Sequence, residues 1–358
     1  PSSFSSNDSV RPGPKPEASS RTDKPPGMSG RLALRGRDLA LFVFCPSPGW
    51  IPSPRGRIGP RGSQGGSQMS ERQKVTLPSL FAKVAAGTPI TWLTCYDYPT
   101  AVLQDEAGVD MILVGDSLGM TMLGFDSTLP VTMDDMVRHT AAVRRGAPNA
   151  WVIGDLPYMS YQPSVETAIR NAGRLMAETG CDAVKLEGGS EMADRVAGIA
   201  RAGIPVMGHL GLTPQSVSSL GGFRLQGKGA AGARRILDDA KVLEEAGAFS
   251  IVLELVPDRL CRLITERAEG CIIMGLGSGR DAHGQLQIFH DAFGLYPRFK
   301  PRMAKVFADA GAVIREGLAA YIEEVHARTF PGPEHGFPMK DEEYEELVRG
   351  LAGDDGRA

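Results

Sequence analysis

A closed barrel of eight parallel strands, each followed by a helix, is the α/β fold this sequence predicts: a (β/α)8 TIM barrel. Three observations lead there. Eight short apolar runs follow one another from residue 90 onward, at 90–95, 111–115, 151–154, 183–186, 204–208, 250–255, 271–275 and 286–289. Segments with helical spacing separate most of them, among them 134–145, 164–178, 190–202 and 230–246, after a first helix expected at 77–85. Ionisable residues stand at or just past the ends of the runs. The runs are continuous and rich in Val, Ile and Leu, as strands buried on both faces must be, and serial strand–helix alternation closes most simply into one barrel. The competing open doubly wound sheet usually places a GxGxxG turn after its first strand. Here the first run ends Cys95-Tyr96-Asp97-Tyr98 instead. The Gly-rich stretch Gly275-Leu276-Gly277-Ser278-Gly279 follows the seventh run, where a barrel uses such a loop to admit a ligand close to the backbone.

In this fold chemistry gathers where the strands end. The first run ends at Tyr96 and Asp97, the second at Asp116 and Ser117, the third at Asp155 and the fifth at His209. The fourth carries Lys185 and Glu187, two apart and so on one face; the sixth carries Glu254. So many charges at the mouth of an apolar barrel would be costly without partners. A divalent cation shared by carboxylates, with an anion beside Lys185, resolves that cost. Each residue also has a structural alternative. Asp116 and Asp155 could cap helices, Lys185 and Glu187 could pair with each other, His209 could be a satisfied strand-end histidine, and Tyr96 could hydrogen-bond Asp97. Three acids without a thiolate favour Mg2+ over zinc. An ion of that kind would polarise the ketone of a 2-oxo acid as an enolate forms. Lys185 and Ser117 would hold the substrate carboxylate. Glu254, flanked by Leu253 and Leu255, is expected to be desolvated, with a raised pKa, and to act as the base. The spacing carries the argument to metal-assisted enolisation and does not name the electrophile.

Composition sets the frame. The chain has 358 residues, 42% hydrophobic and 23% charged, with a net charge of −3: ordinary globular values without the basic excess of a nucleic-acid surface. Five cysteines show no metal or disulfide spacing, which fits reduced thiols in the cytoplasm. The apolar run at 39–45 is far too short to span a membrane. Residues 1–68 are rich in Ser, Pro, Gly and Arg without apolar periodicity, and are expected to be a disordered or non-native extension, with Met69 resembling a start. An Arg- and Ser-rich, acid-poor transit peptide, which would place the protein in mitochondria, is the alternative. Residues 69–345 are expected to form the catalytic barrel and 346–358 a flexible tail.

Several longer segments carry a resemblance. Val114-Gly115-Asp116-Ser117-Leu118-Gly119-Met120, Asp126-Ser127-Thr128-Leu129-Pro130-Val131-Thr132, Val184-Lys185-Leu186-Glu187-Gly188-Gly189, Gly208 through Val217, Val252-Leu253-Glu254, Gly221-Gly222-Phe223, and Phe330-Pro331 with Glu334-His335 resemble the ketopantoate hydroxymethyltransferase family, in order, over residues 75–337. The resemblance implies transfer of a one-carbon unit from 5,10-methylenetetrahydrofolate to 3-methyl-2-oxobutanoate, giving 2-dehydropantoate in pantothenate synthesis. It implies Asp116 and Asp155 as Mg2+ ligands, Glu187 as a third metal-site residue acting through water, Ser117 and Lys185 as substrate contacts and Glu254 as the base. His209, Tyr96 and Asp97 would stand around these. It also implies a ring-shaped homo-oligomer, often a decamer. Two departures stand out. His283-Gly284-Gln285 replaces the family's Asp-Gly-Gln, which leaves the 277–285 loop without an assigned role, and Cys95 replaces an Ala. The rival reading is another Mg2+-dependent aldolase or lyase acting on a different 2-oxo acid.

Overall fold

Successive side chains of a strand point to opposite faces, so a strand buried along its whole length must serve two cores at once. The computed structural model describes residues 72–354, and the expected extension at 1–68 lies outside the described residues. Eight strands, β1 (Ile90–Thr94), β2 (Met111–Val114), β3 (Trp151–Asp155), β4 (Ala183–Lys185), β5 (Val206–Gly211), β6 (Ser250–Glu254), β7 (Ile272–Leu276) and β8 (Gly284–Gln287), pair in chain order, and β8 returns to β1 to close the barrel. Every pairing is parallel.

One parity of residues fills the barrel. Trp92, Met111, Ile153, Met207, Val252 and Met274 belong to this inner core, and Leu80, from the helix Leu77–Ala85, joins it. The other parity, including Ile112, Val152, Val184, Ile251 and Leu253, packs outward against the helices. Helices Met133–Gly146, Val165–Thr179, Ala193–Arg201 and Ala230–Glu245 lie where the helical spacing predicts them. Short polar residues start two of them. Thr132 accepts the Asp135 amide and Ser164 the Thr167 amide, satisfying N–H groups that have no partner inside the helix.

Two strands differ from expectation. β5 starts two residues late, since Pro205 has no N–H to give a ladder, and runs on to Gly211. His209 therefore sits inside the strand, opposite Val252 of β6. β8 is displaced toward residue 284 because its backbone follows β1, pairing Ile90 with Gly284 and Leu93 with Gln287. Only Leu286 in it is an apolar core residue, so hydrophobic patterning locates it poorly. Beyond the barrel, the helix Ala310–His326 leaves Val313, Ile314, Leu318 and Tyr321 more than half exposed. The stretch 346–354, expected as part of a flexible tail, belongs to the helix Asp341–Asp354, whose first turn carries Asp341, Glu342 and Glu343, the charge a helix N-terminus favours.

Candidate active site

Strand register brings the ionisable residues together. Asp155 of β3 and Lys185 of β4 are register partners, so their side chains leave neighbouring strands on the same, inner face. Lys185 Nζ lies 2.8 Å from Asp155 Oδ1 and 3.8 Å from Glu187 Oε1, and 3.5 Å from His209 Nδ1. His209 bridges two acids, with Nδ1 at 3.4 Å from Glu187 Oε1 and Nε2 at 3.1 Å from Glu254 Oε2. The Asp116 amide donates to Asp155 Oδ2 at 3.1 Å. All these residues are at least nine-tenths buried. They line one cavity of about 500 Å3 at the carboxyl ends of the strands, together with Ser117.

Beyond the acids, the site includes two residues that reading the strand ends does not single out. Gln215, past the end of β5, donates from Nε2 to Asp116 Oδ2 and to the Leu156 carbonyl, each at 3.0 Å, and from its backbone to Glu187 Oε2 at 2.9 Å. Tyr161 donates to Gln215 Oε1 at 2.7 Å and accepts the Glu187 amide at 3.1 Å. The signal in the sequence is a glutamine within the long segment running from Gly208 to Val217, but only the fold shows that its amide reaches a carboxylate 99 positions away.

The structure bears on the alternatives for Asp116, Asp155, Tyr96 and Asp97, while Lys185 and Glu187 do pair, at 3.8 Å. Neither Asp116 nor Asp155 caps a helix: Leu118–Thr121 starts at Ser117 and Val165–Thr179 at Ser164. Tyr96 hydroxyl pairs with Ser117 Oγ at 2.8 Å, not with Asp97, which ties Ser117 to the wall of the cavity. Asp97 caps the helix Tyr98–Ala107, accepting the Thr100 amide at 2.8 Å and its hydroxyl at 2.9 Å. Its carboxylate is committed to that turn. His283 closes a different gap. It accepts the Ile273 amide through Nδ1 at 3.0 Å at the start of β8, the end of that strand remote from the acids, so its contact belongs to the barrel and not to the acid cluster.

Four carboxylates, Asp116, Asp155, Glu187 and Glu254, face one ammonium and one imidazole in this cluster. Burial, and then the charges of Asp155 and Glu187, push the Asp116 carboxyl well above the usual range. Burial and the Lys185 ammonium pull His209 down, but the close acids Glu187 and Glu254 outweigh them and lift it to about 9. Burial likewise opposes the charge on Lys185, yet Asp155, Glu187 and Asp116 together raise its pKa. Glu254 is buried, as the sequence predicts, with the His209 imidazole beside it. Among the described residues no three His, Cys, Asp or Glu side chains converge in metal-binding geometry. The donor set nevertheless fits Mg2+, which is held by one or two carboxylates and keeps waters or substrate oxygens elsewhere. Asp116 and Asp155 supply such a pair, and Asp155 Oδ1, although in ionic contact with Lys185, makes no well-directed hydrogen bond. Glu187 is turned toward Lys185, His209 and Gln215.

The fold and site together define a (β/α)8-barrel enzyme with an acid-rich polar cluster at the carboxyl ends of its strands. The profile of the family described as ketopantoate hydroxymethyltransferase matches residues 74–333. A 3-methyl-2-oxobutanoate hydroxymethyltransferase of Syntrophus aciditrophicus (strain SB) is 53% identical over 271 residues, 76% of this chain and 99% of that protein. Its counterpart in Geobacillus kaustophilus (strain HTA426) is 50% identical over 268 residues, 75% of this chain and 96% of that protein. Among solved structures, a 2,3-dimethylmalate lyase aligns over 79% of this chain and 98% of its own, with a TM-score of 0.48 and 13% identity. The chain belongs to the ketopantoate hydroxymethyltransferase family.

Proposed function

We propose that the cluster enolises 3-methyl-2-oxobutanoate, with Glu254 as the base, for hydroxymethyl transfer from 5,10-methylenetetrahydrofolate. The transferase activity and its place in pantothenate synthesis follow from the family. The assignment of residues rests on one observation above all: His209 Nε2 stands 3.1 Å from Glu254 Oε2, an ionic contact without a well-directed hydrogen bond, while its other nitrogen faces Glu187. An imidazole set between two acids, which lift its pKa to about 9, favours its charged form and is a poor proton acceptor. The adjacent carboxylate is the better candidate, and the imidazolium orients it. The proton leaves C3 of the substrate and goes to a Glu254 carboxylate oxygen. Lys185 and Ser117 bind the substrate carboxylate, and Tyr96 fixes the Ser117 hydroxyl.

Asp116 and Asp155 would hold Mg2+, and Glu187 would support them through water or by anchoring Lys185. When bound, the ion supplies Lewis acidity toward the substrate ketone. The apolar face of the helix Ala310–His326 supports a homo-oligomer, with the ring-shaped decamer as the form proposed. Among the described residues no helix is long and apolar enough to cross a membrane. Four free, buried cysteines support the cytoplasm as the compartment.

Solvent-deuterium exchange at C3 of 3-methyl-2-oxobutanoate, measured without folate, isolates the enolisation step. Exchange that requires Mg2+ and is abolished by EDTA is the expected result; absence of exchange from an enzyme that forms product would overturn the mechanism.

A further inference from the structure

Asp291 has no part in the chemistry above, yet it lines the same cavity. It stands on the short helix Phe289–Ala292 just past β8, 9% exposed. Among the described residues its carboxylate makes neither a hydrogen bond nor an ion pair; only its backbone amide is engaged, with the Ile288 carbonyl at 3.1 Å. Burial raises its pKa to about 6. A buried carboxylate left without a donor is costly, and one facing a cavity is placed to receive its donors from a ligand.

The cavity also has more room than the 2-oxo acid uses. Its volume, about 500 Å3, is in the range that encloses a drug-sized molecule, well beyond a five-carbon acid. Away from the acids its walls are apolar, with Leu255, Ile288 and Met303 among them, and two aromatic rings at its rim, Phe223 and Phe299, are 57% and 66% exposed. Arg302, exposed, also lines it, within the stretch Arg298-Phe299-Lys300-Pro301-Arg302-Met303-Ala304-Lys305, which carries four cations and no acid.

A reduced folate has the complementary order of groups. Its pterin ends in a pyrimidine edge with two adjacent donors, the ring N3–H and the 2-amino group; an aromatic spacer follows, and the glutamate end is anionic. We propose that Asp291 accepts both pterin donors and so orients methylenetetrahydrofolate, with its benzoyl ring against the rim aromatics and its glutamate toward Arg302. The proposal rests on the folate-dependent reading of the site. It makes Asp291 a binding residue for the second substrate, with no part in enolisation. A carboxylate accepts two parallel donors, whereas an Asn amide offers one acceptor and one donor.

The test compares tetrahydrofolate with an analogue lacking the 2-amino group, by calorimetric binding to the full chain and to Asp291→Asn. The unmodified protein is expected to prefer tetrahydrofolate by about 10- to 100-fold, the worth of a charge-assisted hydrogen bond. Asp291→Asn should lose most of that preference and raise KM for methylenetetrahydrofolate by a similar factor, while retaining C3 deuterium exchange. An unmodified protein that binds the two compounds equally would overturn the proposal without reference to any variant. So would an Asp291→Asn protein that keeps the preference, or one whose loss appears in C3 exchange and not in folate KM. If the unmodified protein fails to exchange C3, the enolisation reading falls, but the folate comparison still decides Asp291.

Discussion

The base, its orienting imidazolium and the backbone around them form the decisive group at the scale of single residues. Leu255, directly after Glu254, has φ 46°, a left-handed conformation that a branched, non-glycine residue adopts at a cost of about 1–3 kcal/mol. Gly211, with φ +93°, passes the Glu254 carbonyl so closely that a Cβ there would collide with it. Packing thus fixes where strand β6 ends and the base begins. Glu254→Gln keeps the shape and cannot take a proton. It should still bind 3-methyl-2-oxobutanoate but lose C3 exchange and product formation by about 10²–10⁴-fold; exchange at the parental rate would remove Glu254 from the role. Asp155→Ala removes one of the two paired carboxylates and leaves Lys185 without its 2.8 Å partner. Activity should fall by about 10–100-fold or more, with a weakened response to added Mg2+ in titrations. An unchanged Mg2+ titration curve would argue that the ion sits elsewhere.

At the scale of elements, the closure of β7 and β8 onto β1 depends on His283. Its Nδ1 accepts the Ile273 amide and its backbone carbonyl accepts the Ile90 amide, so one residue ties the ends of three strands. Burial pushes its pKa below the ordinary histidine value. The folded state therefore favours the neutral ring. The stability this gives is present above the unfolded value of about 6.5 and is lost as pH falls through the lower folded value. His283→Asn offers an acceptor that does not titrate. In thermal melts at pH 7.5 and 5, the variant should lose less Tm on acidification than the parent. Equal losses would mean that this contact does not carry the acid sensitivity.

On the scale of the whole molecule, short segments outside the barrel hold distant parts of it together. Arg72 Nη1 pairs with Asp105 at 3.1 Å, and Lys74 Nζ with Asp182 at 2.6 Å and with the Ala150 carbonyl at 2.7 Å. These contacts join the approach to the first helix with the helix Tyr98–Ala107 and with the residues just before β3 and β4. A chain beginning at Met69 retains both cations and should fold with parental activity, as the extension expected at 1–68 implies. A chain beginning at Leu77 should melt several degrees lower, because it leaves Asp105 and Asp182 without these partners. Inactive or insoluble protein from the Met69 chain would refute the proposed boundary.

Hydrophobic period and the polar residues punctuating it were enough, in the sequence alone, to predict eight strands, the closed barrel and the strand-end positions of Asp116, Asp155, Lys185 and Glu254. These are local signals, because a strand buried on both faces must be apolar along its length and a barrel's chemistry sits at its strand ends. β8 escaped that logic in its boundaries: Gly284-Gln285-Leu286-Gln287 is a strand by virtue of its pairing with β1, not its hydrophobicity. Only the tertiary structure separated Asp97, used up as a helix cap, from Tyr96, which reaches Ser117. It also put His209 between Glu187 and Glu254, and brought Gln215 to Asp116. Each of these depends on side-chain direction and on contacts across many residues. Hydrogen-bond partners are chosen by distance in space, and a sequence records only distance along the chain.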